Sequence, residues 1–156
     1  MKKLIAPLAA SLLLASCAGA PGAASDAAGP GGQIPALEAQ RYFYGNTHPA
    51  PEGGVMKIES EEKLSEFFGM APVMGEGGRP TQIDFSKTFA VAVVLPVTDR
   101  ATEIQDVSFH EAEGALVVSC RVTEGEKRSF SIQPMRLFVL DRRYAGLPLK
   151  SVCNKK

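Results

Sequence analysis

The sequence predicts a mainly β protein: a small antiparallel β-barrel, OB-like or closed, with one short helix. Three observations predict it. Apolar runs recur with a strand spacing of ~8–12 residues, separated by short polar segments that contain glycine. One run, "TFAVAVVLPV", is apolar at both alternating sets of positions, which marks a central strand covered on each face. A single stretch, "SEEKLSEFFGM", has helical spacing instead. A two-sheet sandwich is the alternative arrangement of the same strands.

The elements follow in chain order. "RYFYGN" places Tyr42, Phe43 and Tyr44 before a Gly-Asn turn signal, and Val55 to Ile58 form a second short strand. In the helix, Ser60 is the N-cap and Glu61 and Glu62 suit the positive N-terminal end. Leu64, Phe67 and Phe68 share one face, and Gly69 closes the helix. The central strand runs through Phe89, Val91, Val93 and Leu95 and ends at Pro96. "TEIQDVSF", Ala115 to Val122, "RSFSIQP", Arg136 to Asp141 and "LPLKSV" supply the remaining strands, with "HEAEG" and "TEGEK" as hairpin loops.

The first residues belong to no domain. Lys2 and Lys3 precede an apolar run from Leu4 to Leu14, followed by Ala15, Ser16 and Cys17. This is the layout of a secretory signal, and the run is shorter than the ~20 residues that span a bilayer. Its end, Leu-Ala-Ser-Cys, resembles the bacterial lipobox. That resemblance implies a diacylglycerol thioether on Cys17, an acylated N-terminus of the palmitate type, and a lipid-anchored place in the cell envelope. Ala18 is not Asp, so the outer membrane is the expected site, on its periplasmic face or at the cell surface. Two or three acyl chains give the stable hold that one does not. Residues 18–37 follow as a flexible Gly/Ala/Pro linker, and residues 38–156 form the one domain.

Charge and composition exclude some classes of function. Without Lys2 and Lys3, 15 basic residues face 17 acidic ones, a net charge of about −2, so there is no basic footprint for nucleic acid. Cys120 and Cys153 are the thiols left once Cys17 is used. The compartment permits disulfides, and adjacent strands could bring the pair within the ~7 Å between Cα atoms that a bridge needs. Two buried free thiols are the other reading.

Catalytic signals are weak. His48 lies in a loop and His110 ends a strand, neither with a second ligand at zinc spacing. No serine sits in a nucleophile elbow, and "GEGG" lacks the lysine of a phosphate loop. The expectation is a non-catalytic protein without metal or cofactor, a monomer that binds a partner through a loop. Two loops are candidates. "MAPVMGEGGRP", Met70 to Pro80, puts Val73 and Met74 at its tip. "PVTDRAT", Pro96 to Thr102, offers Thr98, Asp99 and Arg100 after the central strand. Each has a plainer reading: apolar residues tucked against the barrel end in the first, an ordinary hairpin loop in the second.

A lipobox, a small-residue spacer and a mostly β domain together resemble small bacterial lipoprotein protease inhibitors of the potempin group. The stretches that carry the likeness are "FAVAVVLPVTDRATEI" and "GEKRSFSIQPMRLFVLDRRY", about a third of the domain. The resemblance implies a compact β-barrel and a secreted protease, serine or metallo, as partner. It carries over no functional residue by position. Physically, an inhibitor needs only a rigid scaffold and one preorganised loop. Arg100 would suit a trypsin-like pocket and Met74 a subtilisin-like one. The alternative is a structural or accessory envelope lipoprotein that binds another protein or a small ligand.

Overall fold

The computed structural model describes residues 32–45 and 53–155. Cys17, the signal, linker residues up to 31 and His48 lie outside the described residues.

The chain is mainly β, with one α-helix among the described residues. The strands are β1 (Leu37–Glu38), β2 (Tyr42–Tyr44), β3 (Gly54–Ile58), β4 (Phe68–Met70), β5 (Thr88–Val94), β6 (Thr98–Ala112), β7 (Ala115–Ile132), β8 (Met135–Asp141) and β9 (Leu149–Lys155). The helix α1 spans Glu61–Phe67, and a 3-10 turn covers Arg142–Tyr144. Three sheets result: β1-β8-β5-β3, β2-β4 and β6-β7-β9. All pairs are antiparallel except β7 with β9, which is parallel.

No ladder among the described residues closes these sheets into a barrel. Strand β5 lies between two packed layers. In a small barrel the outward set of side chains meets water, but both sets of β5 are buried. Phe89, Val91 and Val93 pack with Phe138 and Leu140 of β8 against Ile104, Phe109, Leu116, Val118 and Val122 of the three-stranded sheet. On the other face, Ala90, Ala92 and Val94 pack with Leu137, Val139 and Ile58 of the same sheet against Leu64 of α1, Tyr44 and Phe68. The result is three layers: sheet, sheet, then helix with the small β2-β4 sheet.

Strands β5 to β8 form one ribbon folded in two. Its ladder runs from Thr88↔Asp141 to Val94↔Met135 in one sheet, then from Thr98↔Ile132 to Ala112↔Ala115 in the other. The bend between them is bridged by the Leu95 amide donating to the Pro134 carbonyl at 2.9 Å. The Gln133 side-chain amide donates to the Leu95 carbonyl at 3.2 Å. At the far end, Glu113 (φ 53°) and Gly114 (φ 68°) make the tight turn that "HEAEG" predicted.

"TEGEK" is not a hairpin loop. It lies inside β7, opposite Thr102 and Arg100, and the register shifts there absorb the extra residues as bulges. Its polar side chains face solvent and pair across strands, with Lys127 on Asp99 at 3.2 Å and Glu124 on Lys155 at 2.5 Å.

The helix starts as expected and ends early. The Lys63 amide donates to Ser60 Oγ at 3.2 Å, the capping bond. The backbone turns extended at Phe68 (φ −124°), which pairs with Tyr44 in β2 while Gly69 pairs with Phe43. Pairing with an aromatic strand overrides the helical spacing of Phe68, and Gly69 serves the sheet rather than a helix cap.

The packed region also begins before residue 38. Ile34 is 2% exposed in the main core, its amide donates to the Phe109 carbonyl at 2.7 Å, and Gln33 bridges to His110. Leu37, in β1, pairs with Val139 on the sheet edge. The described part of the expected linker is therefore scaffold. A lone isoleucine in a Gly/Pro-rich stretch carries no periodicity to reveal this.

Candidate functional site

The loop after β4 is held at its feet and braced inside. At one foot the Ala71 amide donates to the Arg41 carbonyl at 2.9 Å. At the other, the Thr81 amide donates to the Gln40 carbonyl at 3.2 Å. Thr81 Oγ1 accepts from the Gln40 amide at 2.9 Å, and its carbonyl accepts from the Tyr42 hydroxyl at 2.7 Å. Burial, and then Glu61, raises the Tyr42 pKa above the ordinary tyrosine value, so this donor keeps its proton. Within the loop, the Val73 amide donates to the Gly78 carbonyl at 2.8 Å and the Gly78 amide to the Gly75 carbonyl at 3.2 Å. Gly75 (φ 108°) and Gly77 (φ 72°) supply left-handed turns that other residues rarely adopt.

This frame displays Met74 in full, at 103% relative exposure, and leaves Val73 half exposed. The tip is not tucked against the scaffold. Met70, at the loop's base, is also exposed and lines a cavity of about 270 Å³ with Tyr42, Glu61, Leu64 and Phe68. An apolar side chain held outward by fixed backbone has little left to lose on binding, because its loop is already ordered.

The second candidate is not a loop. Thr98, Asp99 and Arg100 open strand β6, opposite Ile132 and Lys127. Thr98 Oγ1 accepts from the Arg100 amide at 3.1 Å, Asp99 is paired with Lys127, and Arg100 Nη1 donates to the Gly125 carbonyl at 3.4 Å. Pro96 ends β5 as predicted, but the chain re-enters a ladder two residues later because "TEGEK" extends beside it. Val73 and Met74 project from the helix layer, whereas Thr98 to Arg100 belong to the opposite outer sheet.

Cys120 and Cys153 are register partners on β7 and β9 and are joined by a disulfide, with Cα atoms 4.5 Å apart. Cys120 is buried and Cys153 lies on the exposed strand. The bridge fastens β9 to the ribbon. A further tie is Lys57 on β3, whose Nζ donates to the carbonyls of Ala145 and Leu147 at 2.5 and 2.6 Å, just ahead of β9. Sequence reading missed Lys57, since a lysine in an apolar strand reads as an edge position. It also missed Thr102, which shares a face with Ile104 in the "TEI" alternation and is 8% exposed.

Among the described residues, no group of three His, Cys, Asp or Glu is placed to hold a metal ion, and no helix is long and apolar enough to cross a membrane. The fold and site define a layered, disulfide-fastened β-scaffold that presents a braced, apolar-tipped loop. No protein-family model matches the chain, and no curated protein or solved structure does.

Proposed function

We propose that this protein is a lipid-anchored inhibitor of a secreted protease, held at the cell envelope through Cys17 and acting through the loop from residue 71 to 80. The observation that carries the proposal is Met74, fully exposed at the tip of a loop with two internal backbone hydrogen bonds and tied feet. An inhibitor loop enters a protease cleft in fixed, extended form, and a braced loop loses little entropy there. In this reading the scaffold is an opened relative of a small barrel: β3 and β9 lie side by side without a ladder, and Lys57 of β3 holds the segment that leads into β9.

Met74 is the primary contact, and Val73 supports it. A large apolar side chain leaving water contributes about 1.5–3 kcal/mol, roughly tenfold or more in affinity. Arg100 is the weaker candidate, since its side chain is drawn to the Gly125 carbonyl and its backbone is held in a ladder. The test is a panel of secreted serine and metallo proteases titrated with the wild type, Met74→Asp and Arg100→Glu. Inhibition lost in Met74→Asp and kept in Arg100→Glu is expected. Inhibition that survives Met74→Asp in a folded protein refutes this loop, and no inhibition by the wild type refutes the function. Metabolic fatty-acid labelling that is equal in wild type and Cys17→Ala would refute the anchor.

A further inference from the structure

A cleft of about 380 Å³ opens at the bend of the ribbon, walled by Leu95, Pro96, Val97, Val122 and Cys153. It shares no residue with the loop that carries Met74. A second cavity, about 210 Å³, shares Leu95, Pro96 and Cys153 with it and lies between β3 and β9. The two follow the seam that Lys57 pins at its other end.

The cleft is also lined by Thr98, whose hydroxyl accepts from the Arg100 amide, and by Thr102. Thr102 is 8% exposed, and its hydroxyl has no hydrogen-bond partner among the described residues. A buried hydroxyl without a partner costs stability, and such groups are uncommon in folded proteins. Valine has nearly the same shape and would carry no such cost. The hydroxyl oxygen is shut off from solvent in its present rotamer, so a ligand in the cleft is reached by a change of χ1 to another staggered well. The rim charges are already committed: Glu124 and Lys155 pair with each other at 2.5 Å. The pair leaves no unmatched charge at the rim to select an ionic headgroup.

We infer that this cleft binds an uncharged amphiphile, an alkyl or aryl body with a single hydrogen-bonding group that Thr102 satisfies. The apolar walls take the body, and the volume falls at the small end of the range for ligand sites.

The test uses the purified full chain and two probes of similar shape, 4-butylphenol and butylbenzene, followed by NMR of the Thr102 and Val122 methyl groups. Saturable shifts of both methyls are expected, with 4-butylphenol bound about five- to tenfold more tightly, as one hydrogen bond allows. Thr102→Val should erase that preference while leaving butylbenzene unchanged. Thr102→Ser, which keeps the hydroxyl, should retain it. Val97→Trp, which fills the mouth from an exposed position, should remove binding of both. The inference is overturned if neither probe gives saturable shifts. It is also overturned if Thr102→Val keeps the preference for the phenol, or if Thr102→Ser loses it.

Discussion

The carbonyl oxygen of Val73 lies where a Cβ on Gly78 would have to go. The two residues also share the hydrogen bond that closes the loop. The obstacle is backbone, which cannot swing aside as the end of a side chain can. Gly78→Ala should therefore open the loop without touching Met74. A misfit of this kind costs about 1–3 kcal/mol, so inhibition should fall by roughly five- to a hundredfold and the melting temperature by no more than about ten degrees. Hydrogen exchange at the Val73 amide is the structural readout. Unchanged protection there would show that the loop tolerates the methyl group.

The disulfide closes a sequence separation of 33 residues. By the chain-entropy model this is worth about 3–4 kcal/mol. Replacing Cys120 and Cys153 by alanine should lower stability by that order, as should reduction of the wild type. Urea titration with and without a dithiol checks both. A double variant as stable as the oxidised wild type would mean that the β7-β9 ladder alone holds β9.

Ile34 carries the packing of the segment ahead of β1. Ile34→Ala should cost about 2–5 kcal/mol, the usual range for an isoleucine lost from a core. Its neighbour Pro35 is exposed, and Pro35→Ala should cost far less. Equal effects of the two, measured by chemical denaturation, would contradict the burial of Ile34.

Asp84 gives the acid limb of stability a specific contributor. The Ser86 hydroxyl, then the Ser86 amide, hold its carboxyl below the ordinary aspartate value. A depressed folded pKa adds stability above the unfolded value of about 3.9 and loses it as pH falls through the folded one. Asp84→Asn should lower the urea midpoint at neutral pH and leave it unchanged near pH 2. A difference that persists at low pH would assign the effect to the turn's geometry rather than to charge.

The sequence disclosed the features that depend on local pattern. The two apolar faces of β5, the Ser60 cap and the Glu113-Gly114 turn all came from residues close together in the chain. It did not disclose features that depend on a distant partner. "TEGEK" has the composition of a turn and is a strand only because residues 98–105 run beside it. Phe68 has the spacing of a helix and leaves it only because Tyr44 is there to pair with. Thr98 to Arg100 were lost as a loop for the same reason. In the candidate site, Val73 and Met74 were legible as apolar residues in a Gly-rich loop, but the same pattern also fits a tip tucked against the scaffold, and their exposure came only with the structure. The loop's bracing was not legible, because the Val73–Gly78 bond is a backbone bond and no side chain signals it. The unpaired hydroxyl of Thr102 has no sequence signature at all.

The folded ribbon bears on how the chain finds its structure. Its ladder is nested: every pair from Ala112↔Ala115 outward to Thr88↔Asp141 encloses the pairs formed before it. Once the Glu113-Gly114 turn closes, each later pair joins ends already brought near, so it costs little of the loop-closure entropy its sequence distance suggests. The rate-limiting event is then closure of the ribbon, and the elements outside it dock afterwards. β9 reaches β7 only through a parallel crossing, and β1, β2 and β3 dock from the N-terminal side. Mutations at the turn should slow folding, whereas changes in β9 or around Ile34 should mainly quicken unfolding.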